Sequence, residues 1–215
     1  SNWAEEWVLW STTEFDAIEL PDEFCTGSSI MPHKKNPDVL ELTRGRSAKL
    51  VAQLQHILVL LKGLPTAYNR DLQEDKPPLF EATDTVLGIL EVAPPLIRGT
   101  HFKVESINAR LEDGFLDATT LMEGLIARGI PMRSSHEIIG KLVRECETKK
   151  CHLVDLPLSV FESICPGQGQ ELQNLLGVKN ALQSFKTYGS TSPREVASQL
   201  EAWENRLAKE TTGSK

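Results

Sequence analysis

The sequence predicts an all-α protein: long helices of a central helical bundle, followed by a small C-terminal domain of short helices. Three observations carry this. Apolar residues recur at helical spacing over two long stretches, 37–62 and 77–99. No run alternates apolar and polar residues for long enough to predict a strand. From about Thr100 onward the segments shorten and carry more glycine and proline punctuation. We therefore expect residues 1–100 to be part of the central helical-bundle domain and residues 101–215 to form a C-terminal helical domain.

In chain order, Trp3, Trp7 and Trp10 fall at i, i+4 and i+7, one face of a first helix expected to run to about Ala17. Their role is core or bundle packing. Pro21-Asp22 opens an irregular stretch. Asn36 suits an N-cap, Pro37 the first helical position, and Asp38 and Glu41 put negative charge in the first turn. This helix is expected to reach about Lys62, with Gly63 and Pro65 as its stop signal. Leu50, Leu54, Ile57 and Leu61 form a stripe with Val51 and Leu58 beside it. That width predicts burial on more than one side, with His56 as a packing residue. Tyr68–Lys76 is a polar connector. Pro77-Pro78 starts the next helix, with Leu79, Val86, Leu90, Ala93 and Ile97 on one face, a kink at Pro94-Pro95, and an end at Gly99.

The second half predicts a short helix over Glu105–Asp113 closed by Gly114, then a helix capped by Asp117 and ending at Gly129. A further helix spans Met132 to about Lys149, and shorter pieces follow at 157–164 and 168–176. Ser192-Pro193-Arg194-Glu195 has capping-box spacing and starts a last helix to about Lys209, the final five or six residues being frayed.

The 215 residues are 40% apolar and 25% charged, ordinary for a soluble globular protein, and no apolar run is long enough to span a bilayer. A net charge of -7 argues against general nucleic-acid binding, which needs a basic surface. Cys25, Cys146, Cys151 and Cys165 show no CxxC spacing, so we expect reduced thiols of a cytoplasmic protein. Cys146, Cys151 and His152 lack a fourth ligand, and no metal is expected there. The start at Ser1-Asn2-Trp3, without methionine or signal peptide, is read as lying inside a longer protein.

The chemistry concentrates in Thr26-Gly27-Ser28-Ser29-Ile30-Met31-Pro32-His33-Lys34-Lys35-Asn36-Pro37-Asp38. The phosphate-loop pattern fails for want of its second glycine, and GxSxG does not fit. Hydroxyls, backbone N–H groups, two lysines and a helix start would together bind a carboxylate or phosphate. A solvated surface loop whose hydroxyls cap turns fits the same residues. Spacing does not separate the two readings.

Gly27-Ser28-Ser29-Ile30-Met31-Pro32-x-Lys34-Lys35-Asn36-Pro37 resembles the signature loop of the fumarate-forming lyases: fumarase, aspartase, adenylosuccinate lyase and argininosuccinate lyase. Asp38-Val39-Leu40-Glu41-Leu42-Thr43-Arg44-Gly45, Trp10–Phe15, Leu20–Cys25, Leu61–Pro65 and Tyr68–Lys76 look most like the argininosuccinate lyase family. The likeness continues more loosely through 114–119, 136–140 and 188–193, so it covers nearly the whole chain as the C-terminal half of such an enzyme. His33 departs from the pattern, standing where that family usually has glutamine.

The resemblance implies cleavage of argininosuccinate to arginine and fumarate by β-elimination, a step of arginine biosynthesis, with no metal and no cofactor. It implies Ser28 as the base, activated by Lys34 and backbone N–H groups, with Lys34 also stabilising the aci-carboxylate intermediate. Glu41 resembles the carboxylate that pairs with the family's catalytic histidine, which belongs to the N-terminal half. Ser29, Asn36, Tyr68, Gln73 and Lys76 resemble substrate-binding residues. Each keeps a plainer reading: Glu41 as a first-turn helix charge, Tyr68 and Gln73 as connector packing, Lys76 as a solvated charge. His33, His56, His101, His136 and His152 carry no implied catalytic role. The family builds its sites from several subunits of a homotetramer. The expectation is therefore that these 215 residues are inactive alone and that the loop is mobile or misplaced without its partners. Competing readings are another fumarate-forming lyase, a non-catalytic crystallin-like relative, or a helical association module.

Overall fold

In the computed structural model, which describes residues 1–111 and 113–213, helix α1 (Asn2–Trp10) stops well short of Ala17. The hydroxyls that follow it explain the early end. Ser11 Oγ donates to the Val8 carbonyl at 2.8 Å and Thr12 Oγ1 to the Leu9 carbonyl at 2.8 Å, so local side-chain bonds compete with the next turn. Asp16 then takes a left-handed φ of 44° and the chain enters strand β1 (Ile18–Glu19). β1 pairs antiparallel with β2 (His101–Phe102), Ile18 opposite Phe102 and Glu19 opposite His101. Two residues per strand are too few to leave an alternating pattern in the sequence.

Helices α2 (Asp38–Leu61) and α3 (Lys76–Gly99) pack as an antiparallel pair. Lys49 and Gln53 on α2 both reach the Glu81 carboxylate on α3, at 3.0 and 2.7 Å, while Val39 and Leu42 near the start of α2 share a cleft with Gly88 and Val92. α3 continues through Pro94 and Pro95 to Gly99. A 3-10 segment, Arg70–Asp75, forms most of the connector. The first core consists of Ala4, Trp7, Ile18, Leu20, Leu40 and Leu96. Trp3 meets Trp7 edge-on at 5.3 Å and Trp7 meets Phe102 at 6.0 Å, so the tryptophan face does pack as core.

Two expectations fail here. Asn36 is not the N-cap of α2: Pro37 holds that place, with φ −81° and ψ 51°, and no side chain caps the helix. Nor is α2 buried on several sides, since Leu54 and Leu58 are each 60% exposed and His56 is exposed. Within this chain α2 is covered by α1, α3 and the connector only in part.

The chain divides into two compact units, Ser1–Ile107 and Asn108–Lys215. The pairing of β2 with β1 places 101–107 with the first unit, whereas the sequence reading divided the chain at 100. Helix α4 (Val104–Leu111) straddles the division. Glu112, inside the helix expected over Glu105–Asp113, lies outside the described residues.

The second unit holds α5 (Ala118–Ala127), α6 (Met132–Lys149), α7 (Leu158–Ile164), α8 (Gly169–Leu175), α9 (Val178–Ser184) and α10 (Pro193–Gly213). Its core gathers Leu121, Leu125, Leu142, Phe161, Leu172 and their neighbours around α5 and α6. α6 has the expected bounds. Asp117 precedes α5 but makes no side-chain cap; its buried carboxylate instead accepts the Gly177 N–H at 3.1 Å. That bond ties the start of α5 to the turn before α9. α9 was not foreseen: seven residues after a glycine at φ 87° are too short to show a period. Ser192 Oγ accepts the Glu195 N–H at 3.3 Å, as the capping-box spacing predicts. α10 extends to Gly213, past the expected Lys209, and Ser214 and Lys215 lie outside the described residues. The all-α class therefore holds, with one two-stranded ladder added. Among the described residues no helix is long and apolar enough to cross a membrane.

Candidate active site

The serine- and lysine-rich loop is closed at its neck. Thr26 and Asn36 form an antiparallel bridge, Thr26 N–H to Asn36 O at 3.1 Å and Asn36 N–H to Thr26 O at 2.8 Å. The Asn36 side chain reinforces it: Nδ2 donates to the carbonyls of Thr26 at 3.2 Å and Gly27 at 3.3 Å. The Thr26 hydroxyl donates to the Asp38 carboxylate in the first turn of α2. A free amide at position 36, able to cap the helix or meet a ligand, is thus replaced by one that spans the neck. In this conformation both Nδ2 bonds go to the loop's own backbone.

Within the loop, the half-buried Ser28 is the acceptor of two backbone donors. The N–H groups of Ile30 and Met31 reach its Oγ at 3.3 and 3.1 Å. Two donors converging on one oxygen stabilise negative charge there more than they stabilise the neutral hydroxyl, because hydrogen bonds to an ion are the stronger kind. The same turn leaves Ser29, Ile30 and Lys34 exposed. Among the described residues Lys34 makes no ion pair, whereas Lys35 lies 2.5 Å from Asp22 and 3.6 Å from Glu19. The Asp22 carboxylate, by hydrogen bond and charge, raises the Lys35 pKa above its ordinary value. Beside the loop is a cavity of about 310 Å³ lined by Ser11, Thr12, Asp16, Cys25, His33 and Lys35. Burial pushes the Cys25 thiol up, with Lys35 opposing. His33, the departure from the signature pattern, faces this cavity.

Glu41 is exposed in the first turn of α2, at the end of that helix that follows the loop. Tyr68, Gln73 and Lys76 are elsewhere. Tyr68 is 83% exposed, Gln73 is exposed, and the Lys76 ammonium sits 2.6 Å from Asp75 and 3.2 Å from the Leu72 carbonyl. The connector carrying them follows the far end of α2. At 1.5 Å per residue, the part of α2 from Glu41 to Leu61 is about 30 Å long. One chain therefore brings Ser28, Ser29, Lys34, Asn36 and Glu41 into one region and holds Tyr68, Gln73 and Lys76 in another. The sequence reading expected backbone N–H groups at Ser28 but not which ones, and the turn geometry supplies those of Ile30 and Met31. It missed the Thr26–Asp38 tie and the carboxylates that hold Lys35, both of which need contacts across many residues.

Comparison with known proteins agrees with the motif. A family model described as argininosuccinate lyase C-terminal matches residues 115–183, and one described as lyase matches residues 1–52. The chain is 53% identical over 207 residues to an argininosuccinate lyase of Rhodopirellula baltica, covering 96% of this chain and 45% of that protein. It is 46% identical over 207 residues to a chloroplastic argininosuccinate lyase of Arabidopsis thaliana, covering 96% of this chain and 40% of that protein. Among solved structures it is similar to EDDS lyase in complex with formate, with a TM-score of 0.75 and 25% identity over 98% of this chain and 44% of the other. The chain thus spans less than half the length of the relatives it matches.

Proposed function

The chain belongs to the argininosuccinate lyase family of the fumarase/aspartase superfamily, and we propose that it supplies the proton-abstracting loop of an enzyme cleaving argininosuccinate to arginine and fumarate. The observation that carries this is the pair of backbone N–H groups on Ser28 Oγ. An ordinary serine hydroxyl is too weak a base for a carbon-bound proton. Two amide donors, with a lysine in the same loop, lower the cost of the alkoxide that the reaction needs.

In this reading Ser28 takes the proton from the carbon next to a substrate carboxylate. The electron pair moves into that carboxylate, and the resulting aci-carboxylate is stabilised by the Lys34 ammonium. The pair then returns to form the carbon–carbon double bond of fumarate as the carbon–nitrogen bond breaks. The leaving guanidino group takes a proton from a general acid, a histidine oriented by Glu41. That acid comes from the part of the protein that this chain does not span. Ser29 and Asn36 hold a substrate carboxylate, Asn36 only after its bonds across the neck are released. No metal or cofactor enters these steps.

Tyr68, Gln73 and Lys76 complete the pocket from another copy, because about 30 Å of α2 separates them from the loop of their own chain. The exposed apolar residues Leu54, Leu58, Leu87 and Leu90 on α2 and α3 support assembly through these helices into a homotetramer. We assign the protein to the cytoplasm, where its free thiols stay reduced; cell fractionation tests that assignment.

The functional test is a product assay on the full-length protein with argininosuccinate. The expected result is arginine and fumarate in equal amounts, with neither formed by the 215-residue chain alone. Turnover by the chain alone, or turnover of adenylosuccinate, malate or aspartate in place of argininosuccinate, would overturn the reading.

A further inference from the structure

The two adjacent lysines of the loop stand in different environments. Lys34 is exposed and unpaired among the described residues, while Lys35 is held between Asp22 and Glu19. Those carboxylates stand on a floor with little freedom. Glu19 is in β1, laddered to His101, and its neighbours Ile18 and Leu20 are 2% and 6% exposed. Pro21 lies against the end of α3 so closely that a Cβ on Gly99 would come within 2.8 Å of its Cγ. Asp22 opens the 3-10 turn Asp22–Phe24, and Phe24 packs on the core.

The two limbs of the loop are tied to each other by the Thr26–Asn36 bridge, and Thr26 is tied to the start of α2 by its bond to Asp38. Both of those ties act at the neck. Lys35 alone, among the described ion pairs, joins the loop itself to β1 and the turn after it. The bond is also accessible: the side chains are 52% exposed for Lys35 and 77% for Asp22. An ion pair so placed is weak and salt-sensitive, which suits a contact that must form and release.

We propose that Lys35 is a positioning residue: an ion-pair latch to Asp22 and Glu19 that holds the loop's C-terminal limb and so sets where Ser28 and Lys34 stand. This rests on the proposed function for its effect on turnover, but not for its effect on the loop. Lys35 does not touch the substrate. It keeps its neighbour Lys34 available by being itself occupied.

The test is a set of variants in the full-length protein. Lys35→Met and Asp22→Asn are each expected to lower kcat by about two- to fivefold, the range for losing one exposed ion pair, with KM within about twofold of wild type. The double variant should fall no further than Lys35→Met, since that substitution already removes the contact to Asp22. Lys35→Arg should restore most of the activity. Amide exchange of residues 27–35, which needs no turnover, should quicken with added salt in the wild type and be faster and salt-insensitive in Lys35→Met. The latch is overturned if Lys35→Met matches wild type in both readouts. It is equally overturned if Lys35→Met is as inactive as Lys34→Met, with Asp22→Asn unaffected and arginine giving no rescue, because Lys35 would then act on substrate. Failure of the proposed function looks different: Ser28→Ala and Lys34→Met would both remain active.

Discussion

Replacing Asn36 by alanine isolates the neck of the loop. The substitution deletes two hydrogen bonds, from Nδ2 to the carbonyls of Thr26 at 3.2 Å and Gly27 at 3.3 Å, and leaves the backbone bridge between Thr26 and Asn36 in place. A net intramolecular hydrogen bond contributes about 0.5–1.5 kcal/mol, and these two are long and partly solvated, so about 1 kcal/mol in total is reasonable. That loss falls on loop closure rather than on the core, because both acceptors are neck carbonyls and Asn36 is not one of the residues packed in the first core. An opening equilibrium shifted by about 1 kcal/mol is about fivefold. Amide exchange reads it at two sites, the Thr26 and Asn36 N–H groups, which protect one another across the bridge. The expected outcome is about fivefold faster exchange at both, with the urea midpoint of the 215-residue chain nearly unchanged. Unchanged exchange would mean that the side-chain bonds do not hold the neck. A global loss beyond about 2 kcal/mol would mean that Asn36 supports the core instead.

Two further outcomes concern the rest of the molecule. Leu142→Ala removes a fully buried side chain from the second core and should cost about 2–5 kcal/mol in urea unfolding, whereas Leu54→Ala, at 60% exposure, should cost under about 0.5 kcal/mol in the isolated chain and weaken self-association in light scattering. Burial, aided by the adjacent Cys151 thiol, pushes the Cys146 thiol from 9.0 up to about 12. The folded state thus keeps a proton that the unfolded chain releases. This contribution is whole below pH 9 and is lost as pH rises from there to about 12, by at most about 1.4 kcal/mol per pH unit. Unfolding curves on either side of pH 9 should therefore show a flatter pH slope for Cys146→Ala than for wild type, and equal slopes would contradict the assignment.

The long elements were legible because each repeats one signal many times. α2 and α3 carry several turns of apolar spacing, and α6 has both bounds as expected. The failures lie where a few side chains overrule a pattern. Ser11 and Thr12 end α1 by bonding back onto it, and β1 with β2 exists only as a long-range pairing. The exposure of α2 has another origin. Its stripe predicts burial, but α1, α3 and the connector cover only part of it and leave Leu54 and Leu58 exposed. The loop was legible as a motif and not as a mechanism. Nothing local to Ser28 announces that two following amides turn back onto its hydroxyl. Asn36 has the composition of a helix cap, yet its amide spans the neck because the bridge to Thr26 brings two carbonyls within reach. Composition treats Lys34 and Lys35 alike and the resemblance singles out Lys34, but that Asp22 and Glu19 hold Lys35 is seen only in the fold.

The central claim is that Ser28 is the base, and turnover of argininosuccinate by the full-length protein carrying Ser28→Ala tests it most directly. The substitution leaves the neck bonds intact, so the loop should keep its place while losing the oxygen that the Ile30 and Met31 amides address. Positioned acid–base groups contribute about 10²–10⁴-fold. The predicted result is a loss of kcat in that range with KM little changed and unfolding stability preserved. Activity within about tenfold of wild type, in a folded and substrate-binding variant, would contradict the assignment of Ser28.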